Sequence, residues 1–345
     1  PPGVGCRGVG SKGAGARSSI GPVTGHAPTL VRGRLAAHPL WARALASPGL
    51  AARLVLPVVV SAAVDDREPV EGAPAGSRLE RLSITELVRE ARAAAHAGIA
   101  GLLISGAAGR KDEHALLASQ RDHIVPRAIR AVKEAVPDLA VVSDVCVCAY
   151  TAHGQCVLFG GGGADVAATL ERVAEIAVVH ADAGADLVLP SSMLDGTVGA
   201  VRGALDASGH PGVPVAVMAK LESVLYEMHR RAVGAVPIRE RAVPLLAADD
   251  AGAARARALR DLGSGGDAVV VKPGAPALDV VALIARETDL PVIAYHTADE
   301  HALYAAVAEG VVDAAAVERE VIAASRRAGA ALVVTYGAFG VADSS

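Results

Sequence analysis

Apolar segments of strand length alternate with longer, Ala-rich amphipathic segments from residue 54 to the C-terminus. Runs of Val, Leu and Ile without polar alternation are typical of strands buried on both faces of a parallel sheet. Their spacing predicts eight strands separated by helices: LVLPVVV (54–60), IAGLLIS (99–105), LAVVSDVCV (139–147), DLVLPSS (186–192), VPVAVMAK (213–220), DAVVVKPG (267–274), LPVIAYH (290–296) and ALVVTYG (331–337).

Local signals mark the ends of the helices between these strands. Ser83 followed by Glu86 is typical of a capping box, and three helices run into Ala-Gly turns at 97–99, 183–185 and 328–330. Eight strand–helix units that close on themselves leave no edge strand, so the predicted fold is α/β, a (β/α)8 TIM barrel.

An open, doubly wound sheet is the alternative architecture. It requires a Gly-rich phosphate loop after the first strand, and VSAAVDD (60–66) offers none. The glycines at 160–163 lack a following Lys-Ser or Lys-Thr, so they indicate a flexible loop tip instead.

Composition narrows the class of partner. The net charge of −4 gives no basic excess to attract nucleic acid or an anionic membrane, and the apolar stretch 54–64 is too short to span a bilayer. A small molecule is therefore the expected partner. Residues 1–35 are rich in Gly and Arg, with no acidic residue before Asp65, and we expect a disordered tail there.

Polar residues close most of the predicted strands, and the C-terminal ends of barrel strands carry the active site of such folds. The candidates, in chain order, are Asp144, Cys146 and Cys148; Ser191 and Ser192; Lys220; Lys272; Tyr295 and His296; and Tyr336.

Lys220 and Lys272 end two consecutive strands, each after an apolar run. Neighbouring ammonium groups in an apolar mouth lower each other's pKa, and a neutral amine can attack a ketone to form a Schiff base. The alternative is that each lysine extends from the barrel rim into water.

Three cysteines, Cys146, Cys148 and Cys156, lie within DVCVCAYTAHGQC. Three thiolates with an open fourth position are typical of a catalytic zinc site, to which His153 could add a ligand or be a neighbour. The alternative is that the thiols pack as small hydrophobes. The cluster also indicates a reducing compartment, the cytoplasm, whereas Cys6 in the tail is incidental.

The motifs DVCVCAYTAHGQC, LPSSMLDG, VMAK, VVVKPGAPALD and VVTYG together resemble those of porphobilinogen synthase, also called 5-aminolevulinate dehydratase. The match runs in order from His38 to Tyr336. The resemblance implies a catalytic barrel over 54–345, preceded at 36–53 by an N-terminal arm that embraces a neighbour in a homo-octamer. It also implies a lyase of heme biosynthesis that condenses two 5-aminolevulinate molecules to porphobilinogen with loss of water.

Carried over by resemblance, Lys220 holds the A-side substrate and Lys272 the P-side substrate, and Cys146, Cys148 and Cys156 bind Zn²⁺. Further positions that match the family's active site are Asp144, Ser191, Tyr226, Arg230 and Tyr336. Arg230, with Arg239 or Arg241, would grip the A-side carboxylate, and Tyr336 would contact the P-side carboxylate.

The chain departs from the family pattern at several substrate-binding positions. Ser192 replaces an aspartate, Thr197 an arginine, Ala298 a serine, His229 an aromatic residue and Ala277 a tyrosine. Two alternatives therefore stand beside porphobilinogen synthase: a related Schiff-base-forming lyase with an altered keto-acid substrate, and a non-catalytic family member.

Overall fold

Eight parallel strands form the centre of the protein in the computed structural model, which describes residues 33–74, 77–238, 240–307 and 312–343. The described residues all belong to one unit, Val31–Ser345. The eight strands that the sequence predicts are present: β1 (Leu54–Ser61), β2 (Gly101–Ala107), β3 (Ala140–Val145), β4 (Leu187–Pro190), β5 (Ala216–Lys220), β6 (Ala268–Lys272), β7 (Val292–Tyr295) and β8 (Leu332–Val334).

The strands follow one another around a nearly closed barrel in the order β4-β3-β2-β1-β8-β7-β6-β5. Every neighbouring pair in this order is parallel. A single parallel bridge between Val188 and Val215 joins β4 to the start of β5. The (β/α)8 barrel is therefore confirmed, and the open sheet is excluded.

Alternate residues of each strand point into the barrel, and the intervening residues face the helices. In β6, Ala268 and Val270 belong to the inner core, whereas Val269 and Val271 belong to the layer between strands and helices. In β5, Ala216 and Met218 also belong to the inner core. The same parity directs the last residues of β5 and β6 inward.

The N-terminal end of the barrel is filled by a segment that precedes β1. Leu35 and Trp41 are fully buried in the inner core, and Trp41 Nε1 donates a hydrogen bond to the carbonyl oxygen of Asp186 at 2.9 Å. A helix begins at Arg34, inside the segment 1–35 assigned to the tail, and the remainder of that segment, 1–32, lies outside the described residues.

The capping box predicted at Ser83 is only half formed. Ser83 Oγ accepts a hydrogen bond from Glu86 N at 3.3 Å, but the Glu86 carboxylate binds Arg67 Nε at 2.6 Å instead of returning to Ser83.

Helices cover the outside of the barrel. The helices are α1 (Arg34–Ala37), α2 (Pro39–Ala46), α3 (Ile84–His96), α4 (Ile124–Ala135), α5 (Val166–Asp182), α6 (Thr197–Ala207), α7 (Glu227–Val233), α8 (Ala251–Gly263), α9 (Leu278–Ala285), α10 (Ala298–Val307), α11 (Ala314–Ala328) and α12 (Ala338–Ala342).

Two antiparallel strand pairs lie outside the barrel order, and the sequence did not predict them. Arg67–Pro69 pairs with Glu80–Leu82, and Leu158–Gly160 pairs with Gly163–Asp165. Gly161 and Gly162 turn the second pair with φ angles of 56° and 94°, which favour glycine. Among the described residues, no helix combines the length and apolarity that crossing a bilayer requires.

Candidate active site

Lys220 and Lys272 are direct partners in the register of β5 and β6. Their Nζ atoms lie 4.8 Å and 5.5 Å from the centroid of the same Tyr226 ring, and Lys272 Nζ lies 3.8 Å from that of Tyr295. Lys272 is only 5% exposed, so extension into water is wrong for this residue. The structure thus places both amines side by side at the C-terminal mouth of the barrel.

The electrostatic surroundings of Lys272 favour a neutral amine. Burial, followed by the positive charge of Lys220, lowers the pKa of Lys272 to about 7, whereas Asp144, Glu300 and Asp299 act in the opposite direction. A substantial fraction of this amine is therefore unprotonated at neutral pH, which nucleophilic attack on a carbonyl requires.

Tyr226 positions its ring near both lysines through its hydroxyl group. The hydroxyl donates to the carbonyl oxygen of Leu221 at 2.6 Å and lies 3.1 Å from that of Lys272. These bonds fix the ring against the ends of β5 and β6. The ring also faces the guanidinium of Arg230 at 5.5 Å, so three basic side chains surround one aromatic ring.

Asp144 lies near the end of β3 and lines the same cavity. Its Oδ2 accepts a hydrogen bond from Ser105 Oγ at 3.2 Å, and no described group hydrogen-bonds its buried Oδ1. Burial raises the pKa of Asp144, although Ser191, Lys272 and Ser105 oppose the rise. A carboxyl group in this setting can exchange a proton with a bound molecule.

The ligand atoms of Cys146, Cys148 and Cys156 lie within 4.8 Å of one another. Zn–S bonds of about 2.3 Å in tetrahedral geometry separate the sulfurs by about 3.8 Å, so small side-chain movements would let all three bind one ion. Hydrogen bonds from the other two thiols, and the charges of Lys220 and Arg241, lower the pKa of Cys156. The arrangement therefore fits a metal site.

His153 is not a member of this cluster of described ligand atoms. Its Nδ1 accepts a hydrogen bond from Gln155 N at 3.1 Å, and its ring packs edge-on against Phe159 at 4.8 Å. Of the two possibilities left open by the sequence, the structure favours a neighbour over a fourth ligand.

One cavity joins the lysines to the cysteines. The predicted site residues that line it are Asp144, Cys148, Cys156, Ser191, Lys220, Arg230, Arg241, Lys272 and Tyr295. Arg239 lies outside the described residues. Tyr336 is not among the lining residues, and its hydroxyl lies 3.4 Å from Nδ1 of His229, which does line the cavity.

Two of the residues that depart from the family pattern hold a loop together. Ser192 Oγ donates to the carbonyl oxygen of Cys156 at 3.1 Å and accepts from Leu194 N at 3.1 Å. Thr197 Oγ1 donates to the carbonyl oxygen of Leu194 at 2.7 Å. Both hydroxyls are thus engaged with backbone groups, which ties this loop to a cysteine of the cluster. Ala277 and Ala298 are buried.

Two acidic residues in the first turn of α10 support the site, and the sequence analysis missed both. The Asp299 carboxylate accepts hydrogen bonds from Glu227 N and Met228 N at 3.1 Å, which caps α7. The buried Glu300 accepts from Gly274 N at 3.2 Å and Ala275 N at 2.8 Å, which fixes the turn after Lys272. Acidic residues in a first helical turn are ordinary, so the sequence carries no signal for these longer-range contacts.

Comparison with known proteins shows a similarity that runs over almost the whole described chain. Residues 33–344 match the family model described as delta-aminolevulinic acid dehydratase. A relative of that name from Streptomyces coelicolor is 37% identical over 316 residues, covering 90% of this chain and 95% of that protein. The Escherichia coli (strain K12) relative is 36% identical over 293 residues, covering 84% and 89%.

A solved structure leads to the same family. It is delta-aminolevulinic acid dehydratase (porphobilinogen synthase) from Toxoplasma gondii ME49 in complex with the reaction product porphobilinogen. The TM-score is 0.81 with 31% sequence identity, and the match covers 87% of each chain. With a barrel, paired lysines and a cysteine cluster in place, the chain belongs to the delta-aminolevulinic acid dehydratase family.

Proposed function

We propose that this chain is a zinc-dependent porphobilinogen synthase, which condenses two molecules of 5-aminolevulinate to porphobilinogen with loss of water. The observation that carries the proposal is the direct pairing of Lys220 with Lys272 at the barrel mouth. Two ketone substrates attached to neighbouring amines would be held close enough to react with each other.

Lys272 is the first nucleophile in this scheme. Its pKa of about 7 leaves a neutral amine that attacks the ketone carbon of one substrate. The carbonyl oxygen then leaves as water, and a C=N bond to Nζ remains. Expulsion of water requires a proton, and the Asp144 carboxyl, whose pKa is raised by burial, is placed to supply it.

Arginines would bind the carboxylate of the second substrate. Arg230 and Arg241 both line the cavity that contains Lys220. Planar guanidinium groups form paired hydrogen bonds with carboxylates, so they would orient the substrate attached to Lys220. Ser191 also lines the cavity and would add a neutral hydroxyl beside Asp144.

Cys146, Cys148 and Cys156 would hold the zinc ion, since three thiolates leave one coordination position open. When bound, zinc acts as a Lewis acid toward a substrate oxygen. The positive charges of Lys220 and Arg241 beside Cys156 favour its thiolate form and thereby assist binding.

The test is formation of the pyrrole product. Purified protein with zinc and millimolar 5-aminolevulinate should give a pyrrole that an aldehyde reagent converts to a coloured adduct. Lys272→Ala should abolish the colour, whereas Lys133→Ala, at the opposite end of the barrel beside Asp186, should retain it. Colourless wild-type reactions in the presence of bound zinc would refute the proposal.

The related-lyase alternative predicts a different pattern in the same preparation. Borohydride would then trap another keto acid on Lys272 while 5-aminolevulinate gives no pyrrole. For a non-catalytic protein, no keto acid would be trapped, and Lys272→Ala would leave the biological effect intact.

The proposal also includes the oligomeric state of the protein and its location in the cell. A homo-octamer formed through the N-terminal arm (36–53) would have eight times the mass of one chain, which light scattering after size-exclusion chromatography measures. Cytoplasmic location accords with three cysteines that are free thiols. Microscopy of a tagged full-length chain would test this location.

A further inference from the structure

His229 shares one cavity with the two lysines. It lies on α7, whose N-terminus Asp299 caps, and its side chain lines the cavity. Burial, and then the charges of Lys272 and Lys220, lower the pKa of His229 well below its ordinary value. The imidazole is therefore neutral at pH 7 and adds no third cation to this part of the cavity.

A hydrogen bond joins this imidazole to Tyr336. The Tyr336 hydroxyl lies 3.4 Å from His229 Nδ1. A neutral imidazole needs no proton on Nδ1 to make this contact, because the phenol can donate its one proton there. A neutral imidazole that accepts at Nδ1 carries its own proton on Nε2. His229 thus offers an N–H donor.

Tyr336 is engaged with two histidines. Its hydroxyl faces His229 Nδ1 at 3.4 Å, its ring stacks on the His301 ring at 6.5 Å, and it is not among the described residues that line the cavity. Ala298 has no hydroxyl to offer a bound carboxylate. His229 lines the cavity, so its imidazole can supply a donor there.

We propose that His229 is a specificity-determining residue, whose Nε2–H donates a hydrogen bond to the carboxylate of the keto acid bound at Lys272. The inference rests on the proposed function, because it takes Lys272 as the point of attachment. The positive charge of Lys220 favours an anion in this cavity, and a hydrogen bond to an ionised acceptor is stronger than one to a neutral acceptor.

Two ketones that differ only at one end separate carboxylate recognition from attachment. Levulinate is a keto acid, and 2-pentanone has a methyl group in place of its carboxylate. Each is reduced onto Lys272 with cyanoborohydride in the zinc-loaded, full-length protein, and mass spectrometry of the Lys272 peptide gives the half-saturating concentration. His229→Phe removes the donor but keeps a ring, and His229→Gln restores an N–H near the position of Nε2.

For levulinate, His229→Phe should raise the half-saturating concentration about 10- to 100-fold, the range for a hydrogen bond to a charged group. His229→Gln should stay within about threefold of wild type, and 2-pentanone should label all three proteins equally. If His229→Phe raised the half-saturating concentration equally for both ketones, His229 would have a packing role, and the inference would be overturned. An unchanged half-saturating concentration for levulinate in His229→Phe would also overturn it. If neither ketone labels wild-type Lys272, the proposed function fails, and this inference fails with it.

Discussion

Replacement of Lys220 by methionine should raise the pKa of Lys272. The two Nζ atoms lie 4.8 Å and 5.5 Å from one ring centroid, so they are at most about 10 Å apart. At that distance, and with an effective dielectric constant of about 20, two unit charges repel by about 1.7 kcal/mol. This energy corresponds to about one pKa unit, so the pKa of Lys272 should rise from about 7 to about 8 or above.

The assay is the pH dependence of Lys272 labelling by levulinate and cyanoborohydride, followed by mass spectrometry of the Lys272 peptide. Only the unprotonated amine attacks the ketone, so the labelling rate rises as pH passes through the pKa of Lys272. Lys220→Met should move the midpoint to higher pH, whereas Lys220→Arg keeps the charge and should leave it near 7. A midpoint that stays in place or falls in Lys220→Met would refute the reasoning.

Three further changes test other parts of the structure. Cys156→Ser should lose most of the bound zinc after dialysis, measured by atomic absorption, whereas Cys6→Ser should retain it; equal zinc in both would contradict the cysteine site. Trp41→Ala should lower the free energy of unfolding by about 3–5 kcal/mol, measured by urea denaturation, because it leaves a cavity at the closed end of the barrel. Glu300→Gln should lower the midpoint of Lys272 labelling below about 7, since it removes a negative charge that favours the ammonium form; a rise in the midpoint would count against this arrangement.

The barrel architecture was predictable because the inner and outer faces of each strand are both apolar. The residues at which the strands end were harder to predict. The run 139–147 was expected to continue through Cys146, but β3 ends at Val145, because the next residues turn toward the cysteine cluster. Apolar character indicates burial, whereas a strand also needs a hydrogen-bonded partner at each residue.

The site was predictable where a residue closes its own strand. Lys220 and Lys272 follow from strand order alone, since neighbouring parallel strands end at one mouth. The contact between His229 and Tyr336 joins residues 107 positions apart, and Glu300 reaches a turn 25 residues away. Such pairs depend on how helices pack around the barrel, which no local pattern encodes.

The chain is poor in aromatic residues, with five Tyr, two Phe and one Trp. Tyr226, Tyr295 and Tyr336 are buried around the lysines, and Trp41 is buried at the other end of the barrel. Near-ultraviolet circular dichroism comes from immobilised aromatic rings, so these four residues contribute to it. A ligand bound at the lysines would contact the tyrosine part of this group, and we expect it to change the spectrum without an attached label.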